Sequence, residues 1–373
     1  MFVLLLILVI LLSWRFARIP GRYTAAMVLG VWIASMPVLA LWPQSALARL
    51  IGGGPQQWAL AGGFVLLVIG YRKVIGYLKR NAVAARNGAT EGAMPVAVEA
   101  AAPLAPPVIG ADGKPAPMSD AELDRYARHI VLREVGGAGQ NRLRGAKVLV
   151  VGAGALGSPV ALYLAAAGVG RMTLADDDVV SLSNLQRQVI FHSSDNGRAK
   201  VEAAAEAIAA LNPHVGVTAL ARRITADDAE LVAGFDLVLD GTDSFASRFA
   251  VNRACVAAGV PLVAGSIAQW EGQLTIWDPA RNAPCLACLF PEPPAQGLAP
   301  SCAEAGVVGA LPGVVGSMMA LEAIKLLTRA GAPLRGRMLI FDGLWGESRV
   351  ISMRRREGCA ICGGIHPASP SAQ

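Results

Sequence analysis

The distribution of apolar residues divides the 373-residue chain into three regions, 1–80, 81–117 and 118–373. The first region contains three apolar runs with Trp or Tyr at or near their ends: Phe2–Trp14, Tyr23–Trp42 and Trp58–Tyr71. The second run has 20 residues, and a helix of that length crosses the roughly 30 Å hydrocarbon core of a bilayer. Amphipathic aromatic rings prefer the headgroup layer. The pattern therefore predicts about three transmembrane helices.

Residues 81–117 are rich in Ala and Pro and lack helical periodicity, which predicts a flexible linker. From residue 118 the pattern is that of a globular domain. Ser119 stands three residues before Glu122, the spacing of a capping box at the start of a helix. Ala-rich helical segments, SPVALYLAAAGV and AKVEAAAEAIAALN, then separate several strand-like ones: KVLVVG, RMTLAD, DLVLDGTD, VPLVAGS, GQLTIWD and MLIFDG. This order predicts an α/β fold whose mixed sheet has a parallel core and an antiparallel extension.

Charge is distributed unevenly between these regions. Residues 1–80 hold eight Lys and Arg and no acidic residue, whereas the rest of the chain is close to neutral. The excess positive charge therefore flanks the apolar runs, and we expect no nucleic-acid partner. Basic residues are most frequent after the first and third runs, so the positive-inside rule places the N-terminus outside. It predicts a multi-pass protein of the inner (cytoplasmic) membrane with residues 118–373 in the cytosol.

A glycine-rich turn follows the first predicted strand of the globular domain. Gly152, Gly154 and Gly157 form the pattern GxGxxG between a strand and a helix, where main-chain N–H groups can approach an anion. Asp176 ends the next strand, 22 residues after Gly154, where a carboxylate can accept hydrogen bonds from ribose hydroxyls. These features predict a nucleotide site but do not by themselves distinguish a dinucleotide from ATP.

Polar residues after Asp176 favour ATP. A triphosphate carries roughly four negative charges and needs cations and a metal ion around it. The chain supplies Arg187 and Lys200, with Ser183 and Asn184 as hydrogen-bonding groups. The segment DLVLDGTDS ends a strand with Asp240 and Asp243, which places acids for Mg²⁺ at the ligand-binding edge of the sheet.

Four of the six cysteines occur as two CxxC pairs, Cys285 with Cys288 and Cys359 with Cys362. Two such pairs are typical of a tetrahedral zinc site of four thiolates. Because four protein ligands leave no open position, the predicted zinc is structural. Disulfides do not suit a cytosolic domain. Cys255, in an Ala-rich helical segment, is predicted to be a small core residue.

The combination of Asp176, the segment LSNLQRQ, Lys200 and the segment DGTD resembles the MoeB/ThiF/HesA family, ATP-dependent activators of ubiquitin-like sulfur carriers. The resemblance covers about Met118–Gly363 and leaves the apolar N-terminal runs outside. It implies a Rossmann-like ATP-binding half, a homodimer, and adenylylation of the carrier's C-terminal Gly-Gly carboxylate. Ser244 departs from the family, which usually has Asn after the Asp of GTD.

Residue roles carried over from this resemblance fall into three groups. The glycine turn would bind ATP, and Asp176 its ribose. Asp243 would face Mg²⁺, and Arg128, in the segment RYARHIVL, would reach the phosphates bound by the partner subunit. The nucleotide and its phosphates would be contacted by Ser183, Asn184, Arg187 and Lys200.

Cys302 lies in the Gly- and Pro-rich stretch Ala299–Ser317, which is predicted to be a loop. An accessible loop thiol can act as a nucleophile, and in some family members a Cys here is implicated in thioester or acyl-persulfide steps. An incidental loop thiol is the alternative. The preferred substrate is a MoaD-like small subunit of molybdopterin synthase, with sulfur supplied by a separate protein. The alternatives are a ThiS-like thiamin-pathway carrier, a tRNA acceptor, or a non-catalytic membrane-tethered nucleotide-binding scaffold.

Overall fold

A computed structural model describes residues 30, 35, 37–51, 71, 73–74, 116–292 and 306–365. The chain divides into two compact units, Met1–Ala97 and Val98–Gln373. In the first unit the structure describes one helix with defined bounds, α1 (Ala46–Ile51). The first predicted membrane run lies outside the described residues. The third lies outside them except for Tyr71, and the second is described only in part.

The second unit is built on one mixed sheet of eight strands in the order β3-β2-β1-β4-β5-β6-β7-β8. The first five strands of that order are parallel, and the last three join it antiparallel. This confirms the predicted Rossmann-like parallel core with its antiparallel extension. The strands are β1 (Lys147–Val151), β2 (Arg171–Ala175), β3 (Gly216–Leu220), β4 (Leu237–Asp240), β5 (Leu262–Ala268), β6 (Glu271–Trp277), β7 (Arg337–Asp342) and β8 (Glu347–Ser352).

Helices cover both faces of this sheet. They are α2 (Asp120–Ile130), α3 (Gly136–Gly145), α4 (Gly157–Ala167), α5 (Lys200–Leu211), α6 (Ala229–Val232), α7 (Phe245–Ala258), α8 (Leu286–Leu289) and α9 (Leu311–Thr328). The predicted capping box of α2 is confirmed, because Ser119 Oγ accepts from the backbone N–H of Glu122 and Glu122 Oε2 accepts from that of Ser119. A left-handed Gly168 ends α4, and a left-handed Gly259 ends α7.

The central strand β1 is buried on both of its faces. Val148 and Val150 pack into the core beneath α4 and α9, while Leu149 and Val151 pack into a second core beneath α7. A strand covered on both sides must be apolar at consecutive positions, which is why KVLVV shows no polar alternation. Its carboxyl end therefore leads directly from a rigid core into the glycine turn.

The stretch predicted as a loop around Cys302 is helical in its second half, and that prediction was wrong from Leu311 onward. Pro312 occupies the first turn of α9, where its missing N–H has no cost. Gly316 lets the helix approach α4, because a Cβ there would lie 2.4 Å from Pro159 Cγ and 2.7 Å from the carbonyl oxygen of Leu156. Cys302 itself lies outside the described residues.

Helix α9 is also, among the described residues, the one helix long and apolar enough to cross a membrane. Half of this helix is buried against the rest of the protein, and its side chains Val315, Met319 and Ala323 are fully buried in the core of the globular unit. Its apolar character is thus explained by packing between the sheet and α4.

Two glycines of α9 provide a matched test of this packing. We expect Gly316→Ala to lower the free energy of unfolding by about 1–3 kcal/mol, because the added methyl overlaps α4. Gly313→Ala on the same helix meets no atom within 4 Å, so it should raise stability by about 0.5–1 kcal/mol. Thermal unfolding of the full chain measures both. Equal shifts in the two variants would contradict the close helix contact.

Candidate functional site

The glycine turn joins β1 to α4 through unusually close main-chain contacts. Gly152 has φ +88°, and a Cβ there would lie 3.1 Å from the backbone of Gly241, which follows β4. A Cβ on Gly157 would lie only 1.8 Å from the carbonyl oxygen of Gly152. No side chain caps the N-terminus of α4. The N–H of Ser158 donates to the carbonyl oxygen of Gly154, and Pro159 has no N–H, so the N–H of Gly157 is the one in this turn that is available to an anion.

Asp176 lies at the end of β2, beside the glycine turn. Its Oδ2 accepts from the N–H of Ala153 at 2.7 Å, and its Oδ1 accepts from the N–H of Asp178 at 2.8 Å. Burial raises the pKa of this carboxyl, and the positive charge of Lys200 opposes the rise. The two backbone bonds fix the orientation of the carboxylate, whose remaining lone pairs can accept from ligand hydroxyls.

Lys200 is the first residue of α5 and is 3% exposed. Its Nζ donates to Asp178 Oδ2 at 2.8 Å, and that aspartate side chain is 61% exposed. A buried ammonium requires compensation by negative charge. Among the described residues its one ion-pair partner is this largely solvated carboxylate, and the charge of Asp176 also acts on it. An ammonium has three N–H donors, so the Nζ can also donate to an anionic ligand.

The segment LSNLQRQ continues from this point as a short 3-10 helix, Leu182–Asn184, and a turn. Arg187 is partly buried, and its Nη2 donates to Asn184 Oδ1 at 3.0 Å, which fixes the guanidinium. Ser183 is exposed, and its Oγ lies 3.0 Å from Ser181 Oγ.

Gln188 was not singled out by the sequence analysis, yet the structure places it next to the glycine turn. Its side chain is 5% exposed, and its Nε2 lies 3.6 Å from where a Cβ on Gly154 would be. Its Oε1 is buried without a hydrogen-bond donor among the described residues. Such orphaned acceptors are rare in folded proteins, and this one fits a donor group on a bound nucleotide. The sequence signal was weak, because a Gln beside an Arg is equally typical of a surface turn.

Two aspartates follow β4 on the other side of β1. Asp240 is buried and accepts from the N–H and hydroxyl of Thr242, at 2.9 and 2.7 Å. Burial raises the pKa of its carboxyl. Asp243 is exposed and accepts no hydrogen bond from the described residues, and it shares with Asp177 an electrostatic contact to Arg223. Asp243 therefore faces the same region as the acids after β2 and is free to bind a cation.

Ser244, which departs from the family pattern, has a local structural role. It is the N-cap of α7, and its Oγ accepts from the backbone N–H of Ser247 at 3.1 Å. Asn and Ser are equally good N-caps. The departure therefore leaves the start of α7 intact and does not displace Asp243.

Arg128 lies on the exposed side of α2. Among the residues that the structure describes, it has no hydrogen-bond or ion-pair partner. Within one chain, no hydrogen bond or ion pair among those residues links Arg128 to the glycine turn, so the structure of the single chain does not assign it to the nucleotide site.

The four paired cysteines converge in a separate small core. Cys285 caps α8, and Cys359 and Cys362 follow β8 in a turn. Their Sγ atoms lie 3.8 Å (Cys285 to Cys359), 3.9 Å (Cys285 to Cys288) and 3.4 Å (Cys288 to Cys362) apart. Four thiolates around a zinc ion at about 2.3 Å would be roughly 3.8 Å apart, so the donor set fits one tetrahedral metal ion.

The surroundings of the cluster act differently on its thiols: burial raises the pKa of Cys285 and of Cys362, whereas that of Cys359 is lowered. Although burial acts against ionisation, the backbone N–H groups of Cys362 and Ile361 lower the pKa of Cys359 to about 6. Arg355 donates to the carbonyl oxygens of Cys362 and Ile365 and fixes the turn that carries two of the thiols. Cys255, by contrast, is 2% exposed in the core beneath α7, and burial raises its pKa, as predicted for a packing residue.

The bare glycine turn, the strand-end acids and the buried Lys200 define an α/β nucleotide-binding protein. Residues 126–361 match the sequence profile of the ThiF family, and the chain belongs to that family. The resemblance to MoeB/ThiF/HesA proteins is thereby confirmed.

Curated relatives share this domain. The chain is 48% identical over 247 residues to the sulfur carrier protein adenylyltransferase of Thermus thermophilus, covering 65% of this chain and 91% of that protein. It is 46% identical over 243 residues to the SAMP-activating enzyme E1 of Haloferax volcanii, covering 65% and 89%. It is 45% identical over 288 residues to the adenylyltransferase and sulfurtransferase MOCS3 of Mus musculus, covering 77% of this chain but 60% of that one.

Solved structures agree on the fold. The crystal structure of E. coli MccB with ATP aligns with a TM-score of 0.55 at 23% identity, over 61% of this chain and 70% of that one. The crystal structure of E. coli MccB with AMPCPP and MccA aligns with a TM-score of 0.57 at 24% identity, over 64% of this chain and 74% of that one. At this level of identity the likeness extends to the fold alone.

The cysteine cluster generates a direct prediction. We expect the purified full chain to contain one bound metal ion, and Cys362→Ser to contain less than half of that amount because one of four thiolates is lost. Cys255→Ser, a buried cysteine outside the cluster, should retain the metal. Elemental analysis by mass spectrometry measures the content. Full metal in Cys362→Ser would contradict the assignment.

Proposed function

We propose that this chain is an ATP-dependent adenylyltransferase that activates the C-terminal carboxylate of a ubiquitin-like sulfur-carrier protein. The relatives described above at 46–48% identity are named for activities of this kind. The observation that carries the proposal is the buried ammonium of Lys200, with a single exposed carboxylate as partner among the described residues, beside the fixed carboxylate of Asp176. This arrangement suits a ligand that has both ribose hydroxyls and phosphates.

The reaction depends on positioning the carrier's carboxylate against ATP and on neutralising the charge of the phosphates. A carboxylate is a poor electrophile because oxide does not leave, so an oxygen of the carrier's terminal carboxylate attacks the α-phosphorus of ATP. The bond between that phosphorus and the bridging oxygen breaks, and pyrophosphate leaves with the electron pair. The products are an acyl-adenylate and pyrophosphate. Such in-line displacement depends on cations beside the developing charge, and Arg187 and Lys200 supply them.

The remaining contacts follow from position. Asp176 accepts from the ribose, the N–H of Gly157 at the start of α4 binds phosphate, and Ser183 and Asn184 add polar contacts. The exposed Asp243 binds Mg²⁺, since it is an unpaired carboxylate near the acids after β2. Gln188 Oε1 accepts from a donor on the nucleotide. Cys302, outside the described residues, is proposed as a nucleophile in a later step.

The preferred acceptor is a MoaD-like carrier of molybdopterin synthesis, with a ThiS-like thiamin carrier as the alternative. The mouse relative is named as both adenylyltransferase and sulfurtransferase, and this chain spans 60% of it. Sulfur is proposed to arrive from a separate donor protein. A zinc ion on the four cysteines holds the segment after β8 against α8 and has no catalytic part, because all four ligands come from the protein.

We also propose a homodimer in which Arg128 acts on the neighbouring site. Arg128 is exposed without a partner among the described residues of its own chain. Large apolar side chains are exposed on the elements around it and on α4 and α9, namely Val131, Leu132, Tyr163 and Leu321. Exposed apolar side chains of this size favour burial against another protein surface.

Finally, we propose that the enzyme is anchored in the inner membrane with its catalytic unit in the cytosol. Support comes from the apolar runs of residues 1–80 and from their flanking Lys and Arg in the absence of any acid. Anchoring would keep the enzyme at one surface of the cell.

Arg187 gives the direct test of the reaction. We expect Arg187→Ala to reduce ATP–pyrophosphate exchange, measured with candidate carriers, by about 10³–10⁵-fold, because one arginine beside the transferring phosphate has an effect of that size. The matched variant Arg133→Ala removes an arginine that is 93% exposed and should exchange like the wild type. Near wild-type exchange in Arg187→Ala would refute the assignment.

Subunit mixing tests whether Arg128 acts across a dimer. Arg128→Ala and Lys200→Ala should each be inactive alone. After equal amounts of the two variants exchange subunits, half of the dimers are heterodimers. Each heterodimer has one site with both Lys200 and the partner's arginine and one site with neither. About a quarter of the wild-type ATP–pyrophosphate exchange should therefore return. No recovery in verified heterodimers would show that Arg128 serves its own chain or none.

Protease protection tests the orientation in the membrane. In intact spheroplasts we expect added protease to leave residues 118–373 intact, because they would lie on the cytosolic side. After lysis the Ala/Pro-rich linker should be cut and release the domain. Recovery of the uncut chain in the soluble fraction, or cleavage in intact spheroplasts, would contradict this topology.

A further inference from the structure

A cavity lies at the opposite edge of the sheet from the glycine turn. Its volume is about 720 Å³, within the range of roughly 300–1,000 Å³ that is usual for small-molecule sites. Ala146, Asp236 and Pro261 line it, each just before the start of a parallel strand. The C-terminal turn of α9 forms another wall. The nucleotide residues follow the other ends of these strands, so the cavity is separate from that site.

Basic side chains dominate its lining: Arg142, Arg281, Lys325, Arg329 and Arg335. The acids that face them are fewer. Asp278, 1% exposed, accepts from Arg335 at 2.7 Å and from Arg281 at 3.3 Å. Glu322 accepts from Lys325 at 2.5 Å. With Asp236, three acids meet five basic groups, which leaves two positive charges in excess.

Arg142 and Arg329 are the two basic groups of this lining that have no acidic partner among the described residues. Arg142 donates two hydrogen bonds to the carbonyl oxygen of Thr328, at 3.2 and 2.5 Å, and has no acidic partner among the described residues. Arg329 is exposed at the end of α9, and its side chain has neither a hydrogen bond nor an ion pair within the described part of the chain. The other three basic groups pair with two buried carboxylates, those of Asp278 and Glu322, so their presence is explained by the fold. These two are not explained in that way.

The backbone at Arg329 gives an independent observation. This residue ends α9 with φ +61°, in the left-handed region. Glycine is the usual residue there because a side chain is strained in that conformation. An arginine at this position costs stability relative to glycine, and its side chain forms no hydrogen bond or ion pair with the described residues that would offset this strain.

We propose that this cavity binds a phosphate-bearing anion through Arg142 and Arg329. A guanidinium presents paired N–H donors that match two phosphate oxygens, and it stays charged at any physiological pH. The two surplus charges match one or two phosphate groups. A soluble phosphate and a phospholipid headgroup share this chemistry. The proposal does not depend on the adenylylation proposed above.

Titration of the full chain in detergent micelles, with the glycine-turn site saturated by α,β-methylene ATP, tests the soluble source. Inorganic pyrophosphate is the probe. We expect binding that weakens about tenfold in Arg329→Gln, the effect of losing one charge-assisted hydrogen bond. The control Arg253→Gln removes an exposed arginine of α7 that has no partner among the described residues, and its affinity should equal that of the wild type.

Nanodiscs test the lipid source. If a headgroup is the ligand, phosphatidylglycerol in place of phosphatidylcholine should slow backbone hydrogen exchange in residues 326–336 of the wild type, and not in Arg329→Gln. Either result supports the site and identifies its source. If neither probe acts, or if Arg253→Gln weakens binding as much as Arg329→Gln, the proposal fails.

Arg329→Gly separates binding from folding. Because glycine relieves the strained backbone, this variant should unfold at a temperature equal to or above that of the wild type while losing the pyrophosphate or lipid response. A lower unfolding temperature together with an unchanged response would show that Arg329 has a structural role and would overturn the assignment.

Discussion

The contact between Gly157 and the carbonyl oxygen of Gly152 is the constraint on which the candidate site depends. With any side chain at Gly157, its Cβ would lie 1.8 Å from that oxygen, and α4 could not start directly above the end of β1. The turn would have to open, and the first N–H groups of α4 would move away from Asp176. Gly241, which follows β4, also lies close to Gly152, because a Cβ on Gly152 would be 3.1 Å from the backbone of Gly241. These three glycines thus let α4 start close to the paired ends of β1 and β4, at the edge where an α/β sheet binds its ligands.

Several charged and polar groups around the glycine turn have partners missing that a bound ligand could supply. Asp176 is fixed by two backbone N–H groups, and Arg187 is fixed by Asn184. Lys200 is buried with one solvated acid as partner among the described residues, and Gln188 carries an acceptor that those residues leave unpaired. The buried ammonium of Lys200 and the unpaired oxygen of Gln188 cost stability in the free protein, and this cost would be offset by a polyanion that also has donor groups. Strain of this kind is expected at a functional site and would be unusual in a part of the fold that serves packing alone.

The sequence predicted most of the sheet because most of its strands are buried. All six strand-like segments form strands, and the α2 capping box and the two Ala-rich helices form as expected. Strand β3 was missed because it is the edge strand and its residues are half exposed, so GVTAL lacks an apolar pattern. Strand β8 was missed because every residue of ESRVIS is exposed. Both form through pairing with a neighbour, which a single segment does not reveal.

Some site residues and one helix also differ in how readily the sequence reveals them. Asp176 and the paired cysteines are recognisable from the spacing of glycine, acid and thiol residues, whereas Lys200 is recognisable only through the combined motif with LSNLQRQ and DGTD. Helix α9 was hidden by Gly313, Gly316 and Pro312, residues that usually end helices. Here Pro312 lies in the first turn, and Gly316 is required by contact with α4. Helix propensity is therefore overridden by tertiary packing, and the buried face of α9 supplies the stabilisation that its sequence lacks.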